Sequence, residues 1–209
     1  MKDAHVESFL NEKLKLYIAG AKEASHCGMD AYEKALELGG AIADSGSVLL
    51  TGATAGFPCW VAFGAQKKGG MAIGFSPAAT EEEHIHSYGL PLEHMDFTVY
   101  TGCGYSGRSL ITVRSADAVF IGCGRGGTIE EFRIAYGESK PIGILEGEWT
   151  TDEVIQNIIE GSNLDNDKIV LDSDPKVLVK RTIELVRKGK EQHVYKNYIG
   201  VGERKSIVE

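Results

Sequence analysis

The stretch Ala118-Val119-Phe120-Ile121-Gly122-Cys123-Gly124-Arg125-Gly126-Gly127-Thr128-Ile129-Glu130-Glu131 decides how this chain reads. Ala118 to Ile121 is continuously apolar, as a strand covered on both faces must be. Four glycines then fall between positions 122 and 127. A helical pattern follows from about Gly127 to Gly137, with Ile129, Phe132 and Tyr136 on one stripe. In such a strand–turn–helix unit, glycines let the backbone approach a ligand closely. The first turn of the helix adds unpaired N–H groups and the positive end of its dipole. Together these form a cradle for a phosphate.

The same alternation extends in both directions. Strands are predicted at Leu14–Ala19, Val48–Leu50, Ala72–Phe75, Phe97–Tyr100, Ile142–Leu145 and Ile169–Leu171. Helices are predicted at Asp30–Asp44, Gly56–Lys67, about Gly107–Ser115, Thr151–Glu160 and Pro175–Arg187. The first carries a stripe of Tyr32, Ala35, Leu36, Leu38 and Ile42, and Thr150 or Thr151 caps the fourth. The expected fold is a Rossmann-like, doubly wound α/β domain: a mostly parallel sheet of about seven strands with helices on both faces. One domain is expected over residues 1–188, followed by a polar tail over 189–209. Ala78 to His94 reads as a long acidic loop bordering the site.

The 209 residues carry a formal net charge of −8. That opposes broad nucleic-acid binding, which needs a basic face. No apolar run reaches the roughly 20 residues of a membrane helix, and the charged first fifteen residues contain no signal-peptide core. A cytoplasmic protein is expected, with neither nucleic acid nor membrane as a partner. Cys27, Cys59, Cys103 and Cys123 lack metal-ligand spacing and read as buried free thiols. Glu83-His84-Ile85-His86 offers no further ligand set, so no metal and no cofactor is expected.

Ligands of open α/β sheets bind beyond the carboxyl ends of the strands. The predicted binding positions are Gly20 after the first strand, Gly52 and Thr54 after the second, and Gly104 and Gly107 after the fourth. Gly124, Arg125, Gly126, Gly127 and Thr128 follow the fifth. Arg108, placed directly after Gly107 at a predicted helix start, opposes the helix dipole unless an anion shares that position. Glu131 stands three residues beyond Thr128, on the face of the helix that rises above the loop. His26 and Cys27 could line the pocket. A rival dinucleotide reading takes Gly122, Gly124 and Gly127 as the fingerprint and Glu146 as the ribose ligand. It places that fingerprint unusually late in the chain.

Gly107-Arg108, then Ser115-Ala116-Asp117-Ala118, then Gly126-Gly127-Thr128-Ile129-Glu130-Glu131 resembles the signature of the Lonely Guy proteins, the lysine-decarboxylase-like Rossmann proteins of the SLOG superfamily. That superfamily includes molybdenum-cofactor carriers and DNA-processing proteins. The resemblance covers roughly Leu14 to Leu185. It implies a nucleoside 5′-monophosphate phosphoribohydrolase that releases a base and ribose 5-phosphate. Arg108 and Glu131 would be the catalytic pair, and Gly126, Gly127 and Thr128 would hold the phosphate. It also implies a homodimer. Two departures mark a divergent member. Cys123-Gly124-Arg125 stands where the pattern has Pro-Gly-Gly, and Ser109 where it has Lys. The alternative they leave open is a carrier that binds a nucleotide or molybdenum-cofactor-type ligand without cleaving it.

Overall fold

A computed structural model of the chain describes residues 12–161 and 166–194. Seven strands form one sheet: β1 (Lys15–Ala19), β2 (Val48–Thr51), β3 (Met71–Ser76), β4 (Phe97–Tyr100), β5 (Ala118–Ile121), β6 (Ile142–Leu145) and β7 (Ile169–Asp172). Every neighbouring pair is parallel, in the order β4-β3-β2-β1-β5-β6-β7. The helices are α1 (Ala31–Asp44), α2 (Phe57–Lys67), α3 (Glu81–His86), α4 (Gly104–Ser115), α5 (Gly126–Gly137), α6 (Thr151–Glu160) and α7 (Pro175–Val194). The doubly wound α/β fold expected from the sequence is the fold observed.

Strand periodicity sorts the core into two layers, because successive side chains leave a strand on opposite faces. Leu16 and Ile18 of β1 pack with Ala35, Leu38 and Ile42 of α1, Val61 of α2 and Leu178 of α7. Tyr17 and Ala19 face the other way, toward Val113 of α4, Phe132 and Ala135 of α5, and Ile155 of α6. The helices α1 and α2 approach closely because two glycines face them. A Cβ on Gly39 would meet the Val61 carbonyl, and one on Gly64 the Leu36 carbonyl.

The chain winds outward from β1 to β4, then crosses back to place β5 beside β1. The winding direction therefore reverses between β1 and β5. Their carboxyl ends open a crevice between loops that lead away in opposite directions, where this class of sheet binds ligands. The helix that makes the return crossing is α4, which carries Arg108.

Several expectations need correction. The helix expected from about Gly107 begins at Gly104, so Arg108 lies a turn inside α4 and the dipole argument for it fails. Gly102 and Gly104 supply the earlier start with φ of +64° and +65°, a conformation glycine adopts without strain. The acidic connection after β3 is not all loop. Thr80 caps α3 by accepting from the Glu83 N–H, and His84 is buried. Tyr32 leaves the predicted α1 stripe: it is 43% exposed and packs edge-on against Trp60. The expected polar tail begins as helix, since α7 runs on to Val194. The rest of that tail, 195–209, and the N-terminal segment 1–11 lie outside the described residues.

Candidate functional site

Three loops are stitched together at the crevice. The Ala21 N–H donates to the Cys123 carbonyl at 2.8 Å, and the Phe57 N–H donates to the Ala21 carbonyl at 2.9 Å. The loops after β1, β2 and β5 thus share one backbone network. Gly56 joins it at φ +70°, where a Cβ would meet the Ala21 and Lys22 carbonyls. Ala53 also adopts a left-handed φ of +50°. That costs about 1–2 kcal/mol for a residue with a Cβ, and the Ala53 N–H offsets part of it by donating to Thr51 Oγ1. The cavity enclosed there measures about 390 Å³.

Eight of the residues predicted for the site line this cavity. Gly20, Gly52 and Thr54 come from the first two loops, and Arg125, Gly127 and Thr128 from the start of α5. Arg108 and Glu131 complete the set. Gly124 in the β5 loop and Gly126 at the first position of α5 do not line the cavity, and Gly104 and Gly107 also lie outside its wall. Gly124 has a packing role: a Cβ there would collide with Thr128 Oγ1. Gly122 is held glycine by the ring of Phe57. Glu146, the ribose ligand of the dinucleotide reading, does not line the cavity.

At the floor lies a buried polar cluster. Glu131 Oε1 accepts from Tyr17 Oη at 2.7 Å, Ser109 Oγ at 2.7 Å and Arg108 Nη1 at 3.1 Å. Arg108 Nη1 also donates to Tyr17 Oη at 3.2 Å. Arg108 is 5% and Glu131 6% exposed. Burying an ion pair this completely carries a desolvation cost, which the bonds from Tyr17 and Ser109 offset in part. Burial itself opposes the guanidinium charge, but the Tyr17 and Glu131 oxygens outweigh it and raise the Arg108 pKa above its ordinary value. Burial, followed by the Glu131 charge, pushes the Tyr17 phenol well above its ordinary range. Two valences stay open. None of the three bonds uses Glu131 Oε2, and Arg108 Nε is buried without a partner.

The rim is different. The α5 N-terminus has no side-chain cap. Its first intrahelical bond from this end runs from the Ile129 N–H to the Arg125 carbonyl at 3.0 Å. A Cβ on Gly126 or Gly127 would meet nothing within 4 Å, so both residues border open space. Arg125 is exposed beside them. Thr151 fixes the loop below: its hydroxyl donates to the Gly124 carbonyl and accepts from the Gly124 N–H, both at 2.8 Å. Tyr105 supplies an aromatic wall, with Lys22 at 5.6 Å and Arg108 at 5.9 Å from its ring centre.

The sequence reading missed Tyr17, Tyr105, Ser109 and Thr151. Tyr17 reads as one more strand aromatic, and only the alternation of β1 toward α4 and α5 reveals it. Ser109 was legible as a departure, a serine where the resemblance has lysine, but its bond to Glu131 was not. The expectation of free thiols is overturned for two cysteines. Cys27 and Cys123 form a disulfide, because pairing of β1 with β5 brings their following loops together. Cys59 is half-buried and Cys103 exposed, both free. His26 lines the cavity as expected, while Cys27 does not. His84 is structural, bonded to Ser76 Oγ at 2.8 Å and the Pro91 carbonyl at 2.9 Å. A second cavity of about 710 Å³, walled by Asp117, Lys140 and Lys168, lies at the opposite end of the sheet and includes none of the glycine loops.

Fold and cavity define a doubly wound α/β protein with a glycine-walled cavity at its topological switch point. The chain belongs to the SLOG cluster4 family, whose model matches residues 13–179. This confirms the superfamily resemblance read from the sequence. An uncharacterized protein of Archaeoglobus fulgidus is 32% identical over 133 residues, covering 64% of this chain and 82% of that one. The molybdenum cofactor binding protein of Rippkaea orientalis superposes with a TM-score of 0.69 at 25% identity, over 84% of this chain and 99% of that one. The molybdenum cofactor carrier protein of Chlamydomonas reinhardtii shares the fold, with a TM-score of 0.66 at 23% identity, over 84% and 99% of the two chains. No helix among the described residues is long and apolar enough to cross a membrane.

Proposed function

We propose that the protein binds a phosphorylated nucleotide-type small molecule, with its phosphate on the α5 N-terminus and its sugar over the Arg108–Glu131 cluster. The observation that carries this is the open space above Gly126 and Gly127, beside uncapped N–H groups and an exposed Arg125. Tyr105 offers a face on which a planar base can stack.

The reaction this arrangement suits is hydrolysis of the N-glycosidic bond of a nucleoside 5′-monophosphate. The C1′–N bond breaks with its electron pair leaving on the base, and positive charge develops on the ribose. A carboxylate held in place by three donors stabilises that charge without reorganising. Glu131 Oε2 is the oxygen left to orient a water toward C1′. Water adds its oxygen to C1′ and its proton passes to the departing base. Retention without cleavage is the second reading. It is favoured by the likeness to the Rippkaea orientalis protein and by Ser109, which fills with a neutral donor the place where the resemblance has a cation.

Incubation with AMP and other nucleoside monophosphates, with free base followed by chromatography, separates the two. Base release that is lost in Glu131→Gln, by at least about 100-fold, establishes hydrolysis. Saturable nucleotide binding without release establishes the carrier reading. Absence of both binding and release for every phosphorylated ligand tested, molybdopterin-type compounds included, overturns the proposal.

A further inference from the structure

The loop that begins the phosphate cradle is also one arm of a sulfur–imidazole cluster. His26, Cys27 and Cys123 place their donor atoms within 4.8 Å of one another. The two cysteines come from opposite sides of the switch point, 96 residues apart, with a Cα separation of 5.9 Å. The disulfide accounts for the cysteines. It does not account for His26. Its Nε2 lies 3.7 Å from Cys123 Sγ, and a disulfide sulfur is a poor hydrogen-bond acceptor. Its Nδ1 is buried without a partner. A half-buried imidazole normally has better-satisfied nitrogens.

We propose that reduction of the Cys27–Cys123 bond turns His26, Cys27 and Cys123 into a three-ligand site for a soft divalent ion, Zn²⁺, in the wall of the ligand cavity. Two thiolates and one imidazole are a donor set zinc prefers. The 3.7 Å between Nε2 and Sγ already approximates the spacing of two ligands on one tetrahedral zinc, about 3.5 Å for Zn–N near 2.0 Å and Zn–S near 2.3 Å. Opening the S–S bond lets the sulfurs separate to about 3.8 Å, the corresponding spacing of two thiolates on one zinc. The backbone is set for this: the Ala21 N–H clamps the Cys123 carbonyl, and a Cβ on Gly20 would press against it. With three protein donors in the cluster among the described residues, a fourth position is left for water or a ligand oxygen. His26 lines the ligand cavity and the two cysteines stand behind it, so the cluster adjoins the cavity through the imidazole.

A small-molecule or protein dithiol donates two electrons and two protons, the S–S bond breaks, and the donor leaves as its own disulfide. Zinc then displaces the two thiol protons to solvent as the Zn–S bonds form.

The test uses the full chain, reduced with a phosphine, freed of it and titrated anaerobically with Co²⁺ as a spectroscopic stand-in. One equivalent should give a thiolate-to-cobalt charge-transfer band and tetrahedral d–d bands, both bleached by Zn²⁺. Cys123→Ser should abolish the charge-transfer intensity. His26→Ala, a milder change at a half-exposed residue, should weaken binding at least about tenfold. Cys103→Ser should leave the spectrum unchanged. Reduced protein that takes up no Co²⁺ and simply reforms its disulfide overturns the proposal, as do bands that survive both Cys123→Ser and His26→Ala.

Discussion

The floor and the rim of the cavity differ in how much of their bonding is completed within the protein. The floor is nearly closed: Arg108, Tyr17 and Ser109 all converge on one oxygen of Glu131, at the junction of β1, α4 and α5. The rim is open: the α5 N-terminus has no side-chain cap, and Arg125 is exposed. In the proposed site, the charged centre is bonded before a ligand arrives, and the anchoring bonds are left for the ligand to complete. Preorganisation of the first kind favours chemistry or orientation. Incompleteness of the second kind favours affinity.

That contrast can be broken from the floor. Glu131→Ala removes the one carboxylate in the cluster and strands the Arg108 charge under 5% exposure. The expected loss of folding stability is about 3–5 kcal/mol, read as a lowered midpoint in urea. A variant within about 0.5 kcal/mol of the parent would show that solvent, not the cluster, satisfies Arg108.

The rim should respond in the opposite way. Arg125→Ala touches no internal partner, so stability should stay within about 0.5 kcal/mol. Loss of a charge-assisted bond should weaken binding of a phosphorylated ligand by roughly tenfold or more. Calorimetric titration reads both the affinity and its salt dependence. Unchanged affinity would remove Arg125 from the proposed phosphate site.

The smallest effect sharpens the description of the floor. The folded-state pKa of Tyr17 is raised by burial first and by Glu131 second. The unfolded chain releases that phenol proton near pH 10.0 while the folded chain retains it. The stability this group contributes is therefore complete below pH 10 and declines as pH rises through the folded value. Thermal midpoints of the parent and Tyr17→Phe should converge as pH climbs from about 9 to about 11, from an initial gap of about 1 kcal/mol. Parallel curves would mean that the phenol is not held protonated by the fold.

Much of the floor and rim was legible in the sequence, for identifiable reasons. Gly126-Gly127-Thr128 and Glu131 are neighbours along one helix, and helical spacing alone puts the carboxylate above the loop. Of the two grounds for Arg108, the motif resemblance and a place at a helix start, the second fails: Arg108 does not open its helix, and it packs against Glu131 and Gly52. Gly104 and Gly107 looked like ligand glycines, yet they serve the early start of α4 and the contact with Cys103. Thr151 was read as belonging to a helix cap, and instead it braces the loop at Gly124.

The alternation of strands and helices, the two-sided burial of the sheet and the glycine-rich loop before α5 can be read from the residues, because each depends on positions close together along the chain. The placing of β5 against β1 rather than at an edge cannot be read that way. Tyr17, Glu131, Cys27 and Cys123 are brought together by that one adjacency, across separations of 114 and 96 residues. Local periodicity carries no information about which strands will be neighbours. That choice belongs to the packing of helices over the whole sheet.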